Sequence, residues 1–167
     1  MVNILIEKAI KFAKNAHLGQ KRKFSGEDYY QHVYRVYETL TKYTDNIDIL
    51  CAALLHDVIE DCNIQTEQLE VEFNLVVAAI VDELTNVYAK KNYPNLARKE
   101  RKIQEAIRIG KISWSAKLIK ICDRIDNILD FKRSGQDCEY YLEESRELLK
   151  VLRGVNPALE TILEGLV

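Results

Sequence analysis

Four side chains able to handle metals and protons fall within six positions, where His56-Asp57-Val58-Ile59-Glu60-Asp61 continues the apolar run Ala52-Ala53-Leu54-Leu55. In an α-helix, positions i and i+4 share a face, so the spacing pairs His56 with Glu60 and Asp57 with Asp61. One polar wall then closes an apolar helix. Burying three carboxylates beside one imidazole costs several kcal/mol in repulsion and desolvation unless protons or a cation compensate. A bound divalent metal is the simplest compensation. Two further residues have matching chemistry. Asp123 sits beside Cys122 on the apolar side of another helix, and a buried aspartate needs a lysine, an arginine or a metal as partner. His32 lies upstream; a lone histidine is more often structural than a ligand, so it counts only as part of the set. Together His32, His56, Asp57 and Asp123 would supply two imidazoles and two carboxylates from three helices. That mixed nitrogen and oxygen set suits Mn²⁺, Fe²⁺ or Zn²⁺ and leaves positions for water and a phosphate oxygen.

The elements that must hold these residues read as helices almost throughout. Only two prolines and six glycines occur, and no alternating β-branched run appears, which predicts an all-α domain. The first helix is expected from Ile4 to Leu18, with Gly19 as its stop and His17 in a structural role in its last turn. A second runs from Tyr29 to about Tyr43. The central helix is expected unbroken from Ile47 to Glu60, capped by Asp45 or Asn46. Another enters at Thr66, and a strongly apolar one follows from about Leu75 to Val87. The basic run Arg98-Lys99-Glu100-Arg101-Lys102 reads as a solvated helical face. A helix through Asp123 begins at Ser113 or Ser115, and Asn127 shares the face of Asp123. The last two helices span about Glu139 to Arg153 and Pro157 to Leu166, the latter capped by Asn156. Between the first two lies Gln20-Lys21-Arg22-Lys23-Phe24-Ser25-Gly26, a basic loop that is either solvated or an anion and base-stacking clamp.

Composition narrows the function classes. A chain of 167 residues is one domain by size, residues 1–167, and buries roughly two-thirds of its unfolded surface without a disulfide staple. Cys51, Cys62, Cys122 and Cys138 show no C-x-x-C spacing, and no signal pattern precedes them, so the expectation is reduced thiols in a cytoplasmic protein. With 24 basic and 26 acidic residues the net charge is -2, which argues against nucleic acid or membrane as partner. No apolar run approaches the ~20 residues of a membrane span. An anionic ligand must be met by a local basic patch.

The order His32…His56-Asp57…Asp123, with Glu60-Asp61 after the HD pair, resembles the HD phosphohydrolase superfamily. The stretches His17-x-Gly19-Gln20-Lys21-Arg22-Lys23, Ala52-Ala53-Leu54-Leu55-His56-Asp57-x-x-Glu60-Asp61 and Ala116-Lys117-Leu118-Ile119-Lys120-x-x-Asp123-Arg124-x-x-Asn127 closely resemble the hydrolase domain of the alarmone synthetase/hydrolases, and especially the small stand-alone alarmone hydrolases. The resemblance spans nearly the whole chain, through Leu152-x-Gly154-x-Asn156. It implies a single compact HD-domain bundle of about eight to ten helices. It also implies hydrolysis of the 3′-pyrophosphate of (p)ppGpp to GDP or GTP and pyrophosphate, with Mn²⁺ as cofactor. His32, His56, Asp57 and Asp123 match the family's metal ligands. Glu60 and Asp61 match its acidic pair, Glu60 positioning the attacking water or accepting its proton and Asp61 orienting it. Arg22 and Lys23 match the basic pair, the arginine stacking on guanine and the lysine anchoring the nucleotide. Asn127 matches the asparagine that holds the nucleoside, and Tyr141 a tyrosine that contacts the nucleotide.

Three positions depart from the family pattern. Val33 stands where proline usually follows the first metal histidine, Asn86 replaces an aspartate, and Asn95 falls near a phosphate-binding lysine. These bear on substrate preference more than on the metal set, and Lys91, Arg98 or Lys99 is expected to compensate. Two competing readings remain: an HD phosphohydrolase acting on another nucleotide or phosphorylated metabolite, and a non-catalytic nucleotide-sensing helical domain. A sensor that used the metal only as a staple would have no need of Glu60. The oligomeric state and the cognate synthetase are not legible.

Overall fold

The apolar helix before the HD pair became the axis of the molecule. The computed structural model describes residues 3–167, and among these every regular element is helical. In chain order they are α1 (Ile4–Ala16), α2 (Tyr29–Leu40), α3 (Ile47–Leu55), α4 (Val58–Asp61), α5 (Thr66–Glu72), α6 (Leu75–Leu84), α7 (Arg98–Ile109), α8 (Trp114–Ser134), α9 (Glu139–Leu152) and α10 (Pro157–Leu166). The all-α expectation of eight to ten helices holds. Among the described residues the one β-like contact is an isolated bridge between Lys21 and Asp28 that pinches the basic loop.

Helix starts follow side-chain capping. Asn3, Asn46, Asn74, Ser113 and Asn156 each accept a hydrogen bond from a backbone N–H in the first turn of α1, α3, α6, α8 and α10. These bonds satisfy donors that the helix itself leaves open. Where the sequence offered two caps, Asn46 and Ser113 serve. Gly135 ends α8 at φ 66°, a left-handed conformation open to glycine.

Every residue of α3 from Ile49 to Leu55 is buried. A helix apolar on all sides has to be surrounded, and α1, α2, α6 and α8 pack around it. Each fully buried leucine there contributes on the order of 1.5–3 kcal/mol. Helices α9 and α10 cover α8, and α7 packs on α9. The consequence for function is positional: α2, α8 and the C-terminal end of α3 meet at one place, and the ligand-type residues come from those three elements.

The expected unbroken helix from Ile47 to Glu60 is corrected. It stops at Leu55 and restarts at Val58, with His56 and Asp57 in the turn between them. The His56 Nδ1–H donates to the Ala53 carbonyl at 2.8 Å, taking an acceptor that a continuing helix would give to the Asp57 N–H. Helix α1 ends at Ala16, α2 at Leu40 and α6 at Leu84, each two or three residues short of the spacing-based bounds. No helix among the described residues is long and apolar enough to cross a membrane. All four cysteines are free thiols.

Candidate metal centre and phosphate cavity

His32, in the first turn of α2, and His56, at the end of α3, are buried with ring centroids 5.2 Å apart. The Nδ1 of each faces only an acceptor: Asp126 Oδ2 at 2.7 Å for His32 and the Ala53 carbonyl for His56. Both Nδ1 atoms therefore carry hydrogen, and in the neutral ring Nε2 presents a lone pair. His32 Nε2 lies 3.6 Å from Asp57 Oδ2 and 3.3 Å from Asp123 Oδ1, and His56 Nε2 lies 3.1 Å and 3.8 Å from the same atoms. Both Nε2 atoms are buried without an aligned hydrogen-bond partner. Ligand atoms of His32, His56 and Asp57 all lie within 4.8 Å of one another. Lone pairs and carboxylates converging on one buried point fit a divalent cation. Asp123 stands just outside that tightest trio and is held on both oxygens, Oδ1 by Asn127 Nδ2 at 2.5 Å and Oδ2 by Lys120 Nζ at 2.8 Å. Tyr29 OH donates to Asp57 Oδ2 at 2.8 Å.

Without a cation the rings take up protons. Burial pulls the His32 pKa down, but the carboxylates of Asp123, Asp126 and Asp57 beside its ring outweigh it and raise the value to about 9. For His56, burial is likewise outweighed, chiefly by the charge of Asp57, and the value rises to about 10. Burial works to raise Asp57 and Asp123, yet the imidazoles, and Lys120 for Asp123, hold both well below the ordinary carboxylate value.

Glu60 and Asp61 stand beside this cluster and line a cavity of about 300 Å³ together with Asp57, Asp123 and Asn127. The Glu60 Oε2 accepts the Asn86 N–H at 3.2 Å. Burial and then the negative charge of Asp57 raise the pKa of Glu60, and the same two influences raise that of Asp61. A carboxylate moved upward toward neutrality, next to a cation site, is suited to accept a proton from water.

The same lining carries three cations and two further carboxylates, Glu105 and Glu144. Lys102, Lys120, Arg124 and Tyr141 line the same cavity. The Arg124 guanidinium is stacked 4.3 Å from the centre of the Tyr141 ring and touches Ser145 Oγ at 3.4 Å, while its buried Nε has no partner. Burial lowers the pKa of Lys102, and the charge of Arg124 adds to that. Glu144, whose charge reaches Lys102, is already engaged by Arg98 at 2.8 and 3.1 Å. With Arg124 Nε unpartnered and Glu144 engaged by Arg98, Lys102 and Arg124 can seat a polyanion in the cavity that Asp57 and Asp123 also line.

The other sequence candidates divide. Asn127 and Tyr141 line the cavity. Arg22 is folded against α8, its NH2 donating to Asn127 Oδ1 at 2.6 Å and its Nε to Asp130 Oδ2 at 3.3 Å, with its guanidinium 5.3 Å from the Tyr29 ring centre. Lys23 is exposed over the Phe24 ring and does not line the cavity. His17 is buried, bonded to Gln20 Oε1 at 2.8 Å and stacked on Tyr29, in keeping with a structural role. Asn86 lines the cavity, whereas Asn95 is exposed away from it. Of the cations expected to compensate, Lys91 bonds the Glu60 carbonyl, Arg98 is tied to Glu144 and Lys99 is exposed, while Lys102, one helical turn beyond Arg98, lines the cavity. The basic run is therefore only partly a solvated face. Asp126, Arg35, Tyr29, Lys102 and Arg124 received no role from the sequence. The i, i+3, i+7 spacing of Asp123, Asp126 and Asp130 on one helix, with Arg35 one turn after His32, was a signal for the first two.

A family profile described as an HD domain matches residues 9–152. The zebrafish (Danio rerio) protein named guanosine-3′,5′-bis(diphosphate) 3′-pyrophosphohydrolase MESH1 is 33% identical over 173 aligned residues, covering 98% of this chain and 92% of its own. The human protein of the same name is 34% identical over 167 residues, covering 95% and 90%. A solved structure described as "A metazoan ortholog of SpoT hydrolyzes ppGpp and plays a role in starvation responses" superposes with a TM-score of 0.87 at 30% identity, over 99% of this chain and 95% of that one.

Proposed function

Because the chain belongs to the HD-domain family, in the branch of the guanosine-3′,5′-bis(diphosphate) 3′-pyrophosphohydrolases, we propose that it hydrolyses the 3′-pyrophosphate of ppGpp and pppGpp, releasing pyrophosphate and GDP or GTP. The observation that carries this reading is the cavity lined by Asp57 and Asp123, whose carboxylates meet the two open imidazole nitrogens of His32 and His56, by the pair Glu60 and Asp61, and by Lys102 and Arg124. His32, His56, Asp57 and Asp123 hold the metal, for which Mn²⁺ is our assignment among divalent ions. When bound, the ion supplies Lewis-acid polarisation of the scissile phosphoryl group and makes water more acidic.

The chain's own groups do the rest. Glu60 accepts a proton from the water that attacks the phosphorus next to the ribose. The bond from that phosphorus to the 3′-oxygen breaks, the leaving 3′-oxygen takes up a proton from solvent, and Glu60 returns the proton it accepted to solvent. Asp61 keeps the water aligned, and the Asn86 N–H keeps Glu60 turned toward the cavity. Lys102 and Arg124 take the charge of the departing pyrophosphate. Asn127, bonded to Asp123, places the ribose beside the metal. Arg22 releases Asn127 to stack on guanine, Tyr141 flanks the nucleotide, and Lys23 meets it from the rim of the loop.

The test is to incubate purified protein with ppGpp and Mn²⁺, with and without chelator, alongside a panel of other nucleotides. Pyrophosphate should appear from ppGpp only in the metal-containing reaction. Cleavage of other nucleotides with ppGpp left intact would overturn the substrate assignment.

A further inference from the structure

The two metal-site imidazoles are supported in different ways. His56 leans on a backbone carbonyl, whereas His32 leans on a carboxylate that belongs to a longer ion-pair chain. Asp126 lies one turn beyond Asp123 on α8 and is nearly fully buried. Its Oδ2 accepts from His32 Nδ1 at 2.7 Å and from Arg35 NH2 at 3.1 Å, and its Oδ1 accepts from Arg35 Nε at 2.7 Å. The other edge of Arg35 grips Glu27 at 3.0 and 2.5 Å. Glu27 closes the basic loop, its carbonyl accepting the Arg22 N–H at 2.9 Å. The bidentate arginine already satisfies Asp126, so the histidine bond is additional to what an ion pair needs. A ring retained only for packing would also find a partner for its second nitrogen, but His32 is anchored at Nδ1 and open at Nε2.

We propose that Asp126 is the positioning residue of the metal centre, holding His32 with Nε2 aimed at Asp57 and Asp123, and that Arg35 and Glu27 extend this support to the loop of residues 21–28. The proposal rests on His32 being a metal ligand. Its physical basis is that a carboxylate behind a ligating histidine fixes tautomer and ring angle and strengthens the nitrogen as a donor. A consequence is that the loop carrying Arg22 and Lys23 and the metal centre are joined through a chain of charged contacts.

The experiment is calorimetric titration of the metal-free full chain with Mn²⁺ alone, comparing wild type with Asp126→Asn and Glu27→Gln. Asp126→Asn should weaken Mn²⁺ binding by about 10- to 100-fold, beyond what any fall in its melting temperature in chelator accounts for. Glu27→Gln, at the solvent end of the chain of contacts, should weaken it by about two- to fivefold. Unchanged affinity in Asp126→Asn overturns the positioning role, and unchanged affinity in Glu27→Gln overturns its extension to the loop. A purely structural Asp126 would lower the melting temperature and leave Mn²⁺ affinity alone. If Asp126→Asn does not fold, ¹⁵N NMR of the histidines in Zn²⁺-loaded wild type decides: a protonated, strongly hydrogen-bonded Nδ1 on His32 supports the role, and metal on Nδ1 overturns it. Mn²⁺ binding equally tight in His32→Ala, or no binding by wild type, would instead overturn the ligand assignment on which the proposal stands.

Discussion

His32 and His56 give their Nδ1 protons to Asp126 and to the Ala53 carbonyl, and so turn two Nε2 lone pairs toward the oxygens of Asp57 and Asp123. In the metal-free protein those positions hold protons, because the carboxylates overcome the opposing effect of burial and raise the imidazoles to about 9 and about 10. A metal takes the neutral rings and must expel those protons. Titrations near pH 7 in buffers of different ionisation enthalpy should therefore show proton release, and Mn²⁺ affinity should strengthen as pH rises toward 9. Affinity independent of pH would mean that the rings are already neutral. The sign for stability is opposite. A histidine raised above its ordinary 6.5 contributes stability that is fully present below that value and lost as pH rises through the folded value. Chelated protein should accordingly melt at a lower temperature at about pH 10 than at about pH 7. Glu60 makes a separate prediction. Burial and Asp57 raise its pKa, and a general base works only when deprotonated, so activity should climb with pH along a limb displaced above the ordinary glutamate value. Glu60→Gln should remove that limb and lower kcat by about 10²- to 10⁴-fold while Mn²⁺ affinity stays near wild type.

Among the elements, α3 and α8 do most of the positioning, and they differ in how far the sequence disclosed them. Helical periodicity, the Asn and Ser caps and the unrelieved apolar run of α3 made the all-α architecture legible, since each is a local property of the chain. The grouping of His56 to Asp61 was legible for the same reason. Its i, i+4 pairing assumed an unbroken helix, and that assumption failed because an imidazole captured the Ala53 carbonyl, an event that periodicity does not encode. The turn separates the tasks: His56 and Asp57 face His32, while Glu60 and Asp61 open into the cavity. On α8 the face of Asp123 and Asn127 was expected, but the neighbouring face with Asp126 was not, because its value depends on Arg35 and Glu27 arriving from elsewhere. Lys102 was hidden likewise, by belonging to a run whose first three members, Arg98 to Glu100, are exposed. The caps that hold these elements can be tested without touching the chemistry. Asn46 accepts from the N–H groups of Asp48 and Ile49, so Asn46→Ala should cost about 1 kcal/mol and lower Tm by about 2–4 °C. Mn²⁺ affinity should not change. Leu54→Ala, in the middle of the core, should cost about 2–5 kcal/mol, measurable by urea denaturation.

For the molecule as a whole, a net charge of -2 offers no long-range attraction to a substrate with several phosphates. On the proposed function, recruitment has to be local, and the cations that line the cavity are Lys102, Lys120 and Arg124. Lys120 is already committed to Asp123, which leaves Lys102 and Arg124 to meet phosphate. Arg124 also packs on Tyr141 and α9, so its removal would disturb the fold. Lys102 is the cleaner probe, since burial lowers its pKa and Glu144 is taken by Arg98. A hydrogen bond between a charged pair of this kind contributes about 1.5–3 kcal/mol, or about a 10- to 150-fold change in binding. Lys102→Met should therefore raise KM for ppGpp by about tenfold or more and weaken inhibition by inorganic pyrophosphate in parallel. Lys99→Met, on the exposed side of the same helix, should leave both within about twofold. If Lys102→Met kept its KM but lost kcat, the lysine would be acting only on the charge that develops during bond breaking. If it changed neither, the phosphates would lie away from Lys102, and the entry of the nucleotide would have to be drawn from the Arg22 loop alone.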